Sequence, residues 1–257
     1  MSVFKKISEK ETASLSICSS GKEKRGKTFW AMSAPGPVAV IASDPGTESA
    51  VRQWQRAGKE IVCFFHSLPV AGQKIEVYER AWQKVAEAFD EAIASASIRS
   101  IVIDTATEIW ELLRLARFGR LTQVLPHHYG PVNAEFRSLY HRVAGSGKNA
   151  VWIHKVKKEY ATNREGKDSW TGRWERSGFG GFEYLADVIL EHDLLPGDEN
   201  TKPEFSIRVI DSRYHPTKVN GERFSGLMCS FPALASLIRP ECPVSDWDDG
   251  VEPPYAD

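Results

Sequence analysis

Five short apolar, β-branched runs recur along the chain as far as residue 154: Ala13–Ile17, Pro37–Ala42, Glu60–Phe65, Ile98–Ile103 and Ala150–His154. Continuous apolar stretches of this length predict strands buried on both faces. Between them the period changes. From Tyr78 to Ala96, Trp82, Val85, Phe89 and Ile93 recur at spacings of three and four, which makes one apolar stripe on a helix. Two more helices are predicted over Glu108–Phe118 and Asn133–Ala144. Strands alternating with helices predict an α/β fold with a mainly parallel sheet flanked by helices. Beyond residue 185 the segments Asp187–Glu191 and Phe205–Ile210, with turn signals at Pro216 and Asn220-Gly221, predict an antiparallel C-terminal extension. We read residues 1–238 as one domain and the Pro- and Asp-rich residues 239–257 as a mobile acidic tail.

Composition narrows the class. With 33 Lys+Arg against 34 Asp+Glu the net charge is −1, so any polyanion site has to be a local patch. Cys18, Cys63, Cys229 and Cys242 are widely spaced, which argues against a zinc site and for reduced thiols. The start, MSVFKKISEKE, lacks the apolar core of a signal peptide, and no apolar run approaches the ~20 residues a membrane span needs. The expectation is a soluble intracellular protein.

One motif carries chemistry. Gly21-Lys22-Glu23-Lys24-Arg25-Gly26-Lys27-Thr28 fits G-x-x-x-x-G-K-[ST], after a predicted strand and before a plausible helix. At average residue frequencies that pattern arises by chance in about one chain in a hundred of this length, so context makes it specific. The glycines let backbone N–H groups curl toward phosphate oxygens, Lys27 neutralises the β- and γ-phosphates, and Thr28 offers a hydroxyl to Mg2+. Gly21 through Thr28, with Phe29 following, are the nucleotide-binding candidates for ATP. Asp104 ends the run Ser100-Ile101-Val102-Ile103 and is the second magnesium candidate. In Ser43-Asp44-Pro45-Gly46-Thr47-Glu48 either Asp44 or Glu48 is placed to orient the attacking water; the same residues also fit a turn with Thr47 as a helix cap.

Taken in order, GKEKRGKT, ASDPGTESAV, SIVIDT and VWIHKVKKEY resemble the RecA-like ATPases. More narrowly they resemble small AAA-domain proteins of bacteriophages that act in single-strand annealing and recombination. The similarity covers residues 12 to 215. It implies a strand between those carrying the phosphate loop and Asp104, with His154 at its end beside the γ-phosphate, where RecA has glutamine. It implies ATP and Mg2+ as cofactors and a homo-oligomer, ring or filament. It also implies a single-strand-binding protein or another recombination factor as partner, in the cytoplasm of a phage-carrying bacterium.

The residues after His154 fit that picture. Lys155–Gly181 holds seven Lys/Arg and four acids with interleaved Tyr160, Trp170, Trp174 and Phe179. Cations that track phosphates beside rings that stack on bases suit single-stranded DNA. The DNA-binding candidates are Lys155, Lys157, Lys158, Tyr160, Arg164, Trp170, Arg173, Trp174 and Arg176, with Arg173 or Arg176 also able to reach a neighbouring subunit's nucleotide. An ordered hairpin with packed tryptophans is the competing reading. Residues Gln123–Pro131, with His127, His128 and Tyr129, are a candidate first DNA loop. Two other functional classes stay open: a scaffold protein that hydrolyses slowly, and a small-molecule kinase, for which no lid-like arginine cluster is seen.

Overall fold

The computed structural model describes residues 13–69, 72–121, 125–162, 166, 168–197 and 201–254. Its strands are β1 (Ser16–Gly21), β2 (Val38–Ala42), β3 (Ile61–Phe65), β4 (Ser100–Asp104), β5 (Asn149–His154), β6 (Val156–Thr162), β7 (Asp168–Arg176), β8 (Val188–Leu195), β9 (Glu204–Ser212) and β10 (Arg223–Ser225). The helices are α1 (Lys27–Ala31), α2 (Thr47–Arg56), α3 (Ile75–Ala94), α4 (Ala106–Phe118), α5 (Pro126–Ala144), α6 (Phe182–Leu185), α7 (Pro216–Val219) and α8 (Phe231–Ile238). None of them is long and apolar enough to cross a membrane.

Eight strands form one sheet in the order β10-β9-β8-β1-β5-β4-β2-β3. From β8 to β3 all neighbours are parallel, while β9 and β10 add the antiparallel extension. The expected α/β architecture is therefore the one observed. β5 lies between β1 and β4, so the strand ending in His154 separates the phosphate-loop strand from the Asp104 strand. Helices α1, α2 and α8 cover one face through Trp30, Trp54 and Phe231. Helices α3, α4 and α5 cover the other through Trp82, Leu112 and Phe136, packed on Ile103 and Trp152. β2 and β4 are buried along their whole length, which is why they read as unbroken apolar runs.

Several boundaries differ from expectation for identifiable reasons. β1 runs on to Gly21 because the hydroxyls that make Ser19 and Ser20 look loop-like find partners: Ser19 Oγ lies 2.8 Å from His192 Nε2, and Ser20 Oγ donates to Leu190 O at 3.3 Å. The candidate first DNA loop is instead the start of α5 from Pro126 onward; residues 123 and 124 lie outside the described residues. Pro131 sits inside the helix, and Tyr129 stacks on Trp110 of α4 at 5.5 Å between ring centroids. The helix therefore starts seven residues before the Asn133 expected from the sequence, although proline lacks the N–H a helix interior uses.

The acidic C-terminus is not a mobile tail through residue 254. Trp247 is fully buried and faces Phe231 at 6.4 Å. Asp249 pairs with the buried Lys59 at 2.6 Å and accepts from Gly36 N–H, also at 2.6 Å. The boundary at 238 therefore cuts through one hydrophobic cluster that includes Ile238 and Trp247.

Candidate active site

The phosphate loop leaves β1 at Gly21, where a Cβ would lie 2.6 Å from the His192 carbonyl oxygen of β8. Lys24 and Gly26 take left-handed backbone angles, φ 55° and 74°, which turn the chain over the sheet edge. Lys27 Nζ donates to the carbonyls of Gly21 at 2.9 Å and Lys22 at 2.6 Å and so arches across the loop. Burial lowers the Lys27 pKa, and the charge of Asp104 works against that shift. Because α1 spans only five residues, its dipole is short. The Phe29 ring packs on Trp54 at 5.4 Å, so its side chain belongs to the core rather than to the nucleotide site.

Asp104 is buried at the end of β4. Its Oδ2 accepts hydrogen bonds from Thr28 Oγ1 at 2.8 Å and Thr47 Oγ1 at 2.5 Å. Burial pushes its carboxyl above the usual carboxylate range, against these two hydrogen bonds. Thr28 and Asp104 thus present two hard oxygens within one hydrogen bond of each other. That donor set fits magnesium, which takes one or two protein oxygens and completes its octahedron with water and phosphate. Thr47, read as a helix cap, is a buried partner of Asp104. Ser43 also closes the corner: its N–H donates to the Asp104 carbonyl at 2.6 Å, and its Oγ accepts from Thr105 N–H at 3.2 Å.

The two candidate water-orienting acids diverge. Glu48 points along the exposed side of α2 and pairs with Arg52. Asp44 holds the Gly46 N–H with Oδ1 at 2.8 Å, and its charge is felt by both Lys27 and Asp104.

His154 is completely buried at the end of β5, sealed by the Phe182 ring at 4.5 Å. Its Nδ1 lies 3.3 Å from the Ser177 carbonyl, and Nε2 has no partner among the described residues. Burial and then the charge of Arg176 hold it neutral, well below the ordinary histidine value. The ring therefore touches the base of β7. Thr107, unremarked in the sequence, ties that base to the Asp104 corner: its Oγ1 donates to Ser177 O at 3.0 Å and accepts from Lys155 N–H at 3.1 Å.

The polar segment after His154 is an ordered hairpin, β6 paired with β7. Trp170 and Trp174 are 50% and 42% exposed, and Tyr160 is also open, so these aromatics lie outside both hydrophobic clusters. Lys158 stands opposite Trp174 and Tyr160 opposite Trp170, with Lys158 Nζ 5.2 Å from the Trp170 ring centre. Lys22 of the phosphate loop reaches the hairpin, its Nζ 4.8 Å from the Trp174 ring centre. The other DNA candidates separate. Arg173 is exposed, Lys157 pairs with Glu175 at 3.2 Å, and Lys155 pairs with Glu108. Arg176 turns inward to the Phe179 carbonyl at 2.6 Å, pairs with Glu183 and stacks on Phe182, so it is a structural residue and not a free cation. Phe179 is core, and Arg164 lies outside the described residues.

Residues 13–224 match the family described as AAA domain, which is most of the chain and takes in every residue of this site. The chain belongs to that family. It is a P-loop ATPase by sequence and by the arrangement of β1, β4, Lys27, Thr28 and Asp104. No curated protein matches the chain. Among solved structures it is similar to a KaiC-like protein from the hyperthermophilic archaeon Pyrococcus horikoshii. The TM-score is 0.45 and the identity 12%, over 82% of this chain and 84% of that one.

Proposed function

We propose that this AAA-domain protein couples Mg2+-dependent ATP hydrolysis to the binding of single-stranded DNA by the β6–β7 hairpin. The observation that carries the reading is the position of that hairpin. It holds three exposed aromatic residues and touches the phosphate loop through Lys22 and Trp174. Stacked bases and tracked phosphates are what such a surface recognises.

Lys27 and the loop N–H groups bind the triphosphate. Thr28 and Asp104 hold the magnesium, which when bound polarises the phosphate and screens its charge. Asp44 orients the water, because Glu48 is engaged by Arg52. His154, Thr107 and Ser177 relay the state of this corner to the two strand ends of the hairpin. Recombination or annealing in a phage, with assembly of several copies, is the setting we favour from the sequence resemblance.

The test is ATP turnover with and without single-stranded DNA, with duplex DNA as control and Lys27→Ala as the inactive reference. Stimulation by single strands supports the coupling. Turnover indifferent to DNA favours a nucleotide-dependent scaffold, and phosphoryl transfer to a metabolite would point to a kinase.

A further inference from the structure

The alternate residues Phe205, Ile207 and Val209 line one face of β9. Ile207 and Val209 are buried in the cluster that includes Trp30 and Phe231. Phe205 continues the row past the edge of that core and is 50% exposed. Its ring lies against the phosphate loop: a Cβ at Gly26, the residue before Lys27, would come within 3.1 Å of the Phe205 ring. Next to it, the turn Gly226–Met228 follows β10 and carries the exposed Leu227 and Met228. Burying an aromatic and two aliphatic side chains from water would be favourable, yet the fold leaves them open beside a phosphate-binding loop.

The sheet order says what belongs there. Asp104 and Asp44 lie at the ends of β4 and β2, on one side of β1, and so mark the γ-phosphate end of the site. A nucleotide lying along the loop with its γ-phosphate at that end would direct its base to the opposite side, toward β8 and β9. β9 is two strands from β1, roughly 10 Å at the usual strand spacing, which is within reach of a ribose and its base. Leu194 stands opposite Phe205 on β8 and extends the apolar surface toward β1.

From this we infer that Phe205 is the base-stacking wall of the nucleotide site, taking the aromatic ring of the nucleotide on its exposed face. The turn carrying the exposed Leu227 and Met228 lies close by, a Cβ at Gly226 coming within 2.7 Å of the carboxylate of Glu204, the residue before Phe205. The inference rests on the ATP-binding reading above and adds a ligand subsite to it. It also accounts for Gly26 beyond its backbone angle: a side chain there would displace the ring that holds the base.

Calorimetric titration of the full chain with Mg-ATP and with magnesium tripolyphosphate separates the two readings, because tripolyphosphate has the phosphates and no base. Phe205→Ala should weaken ATP binding about 5- to 150-fold, the loss expected for one base–aromatic stack, and leave tripolyphosphate affinity unchanged. Phe205→Tyr should restore ATP affinity. Unchanged ATP affinity in a folded Phe205→Ala chain overturns the inference, as does an equal loss for both ligands, which would mark Phe205 as a support of the loop. A wild-type chain that binds neither ligand contradicts the nucleotide reading itself.

Discussion

Trp247→Ala tests whether the acidic C-terminus is part of the fold. An indole removes ~150–250 Å2 from water when buried, worth about 4–6 kcal/mol at ~25 cal/mol per Å2. Mutational data for Trp→Ala in cores give ~3–5 kcal/mol. Trp247 is 0% exposed, so the full range applies. A chain of this size loses about 2–4 °C of melting temperature per kcal/mol, which places the expected drop at ~6–20 °C. Asp249→Asn should also destabilise, because Lys59 is 1% exposed and its buried amine would lose the partner that offsets its burial. Asp249 is itself 17% exposed, so the cost belongs at the lower end of the ~3–5 kcal/mol seen for broken buried pairs. Thermal unfolding followed by circular dichroism measures both. Val244→Ala, at an exposed neighbouring position, is the control and should stay within about 0.5 kcal/mol of wild type. A Trp247→Ala melting temperature equal to wild type would refute the packing and restore the free acidic tail.

Asp104→Asn should keep part of its nucleotide affinity and lose magnesium-dependent turnover, since the oxygen remains while the charge goes; a magnesium titration of turnover reads this directly. Asp44→Asn should stop hydrolysis with ATP binding retained, whereas Glu48→Gln should hydrolyse near the wild-type rate; the reverse result would move the water-orienting role to Glu48. Burial, with a smaller push from Lys27, lowers His192 from the ordinary 6.5 to about 3. Between those pH values the unfolded chain holds one more proton than the folded chain, so stability falls as pH falls, by at most ~1.4 kcal/mol per unit. His192→Gln should flatten the stability profile from pH 6.5 downward, and an unchanged slope would show that other groups set it.

The parts of this protein that were legible in the sequence are those whose signals are local. The phosphate loop and the strand ending in Asp104 need only their own spacing and one flanking element. Fully buried parallel strands read as apolar runs because both faces are covered. What stayed hidden depends on partners far along the chain. Asp249 meets Gly36 across 213 positions, and nothing in a Pro- and Asp-rich stretch announces that its tryptophan fills a core. Ser19 and Ser20 are strand residues only because β8 is there to accept them. Thr47 looks like an ordinary helix cap until Asp104 is placed beside it, and Thr107 carries no local signal until Ser177 is. Arg176 and Phe179 looked like members of a basic, aromatic DNA surface because composition cannot tell an inward-facing side chain from an outward one. The hairpin itself read as a loop, since its two strands stand away from the main sheet with mostly exposed side chains and no apolar alternation.

The central claim is that the β6–β7 hairpin holds single-stranded DNA and reports it to the phosphate loop. The most direct measurement is ATP turnover across a titration of single-stranded DNA for the wild type and for Trp170→Ala/Trp174→Ala, with DNA affinity followed in parallel. Each stacked base is worth ~1–3 kcal/mol, so the double variant should bind DNA at least tenfold more weakly and lose the stimulation. Basal turnover should persist, because Lys27 and the Thr28–Asp104 pair are held by hydrogen bonds that involve neither ring. Wild-type DNA affinity and full stimulation in a stably folded double variant would contradict the account.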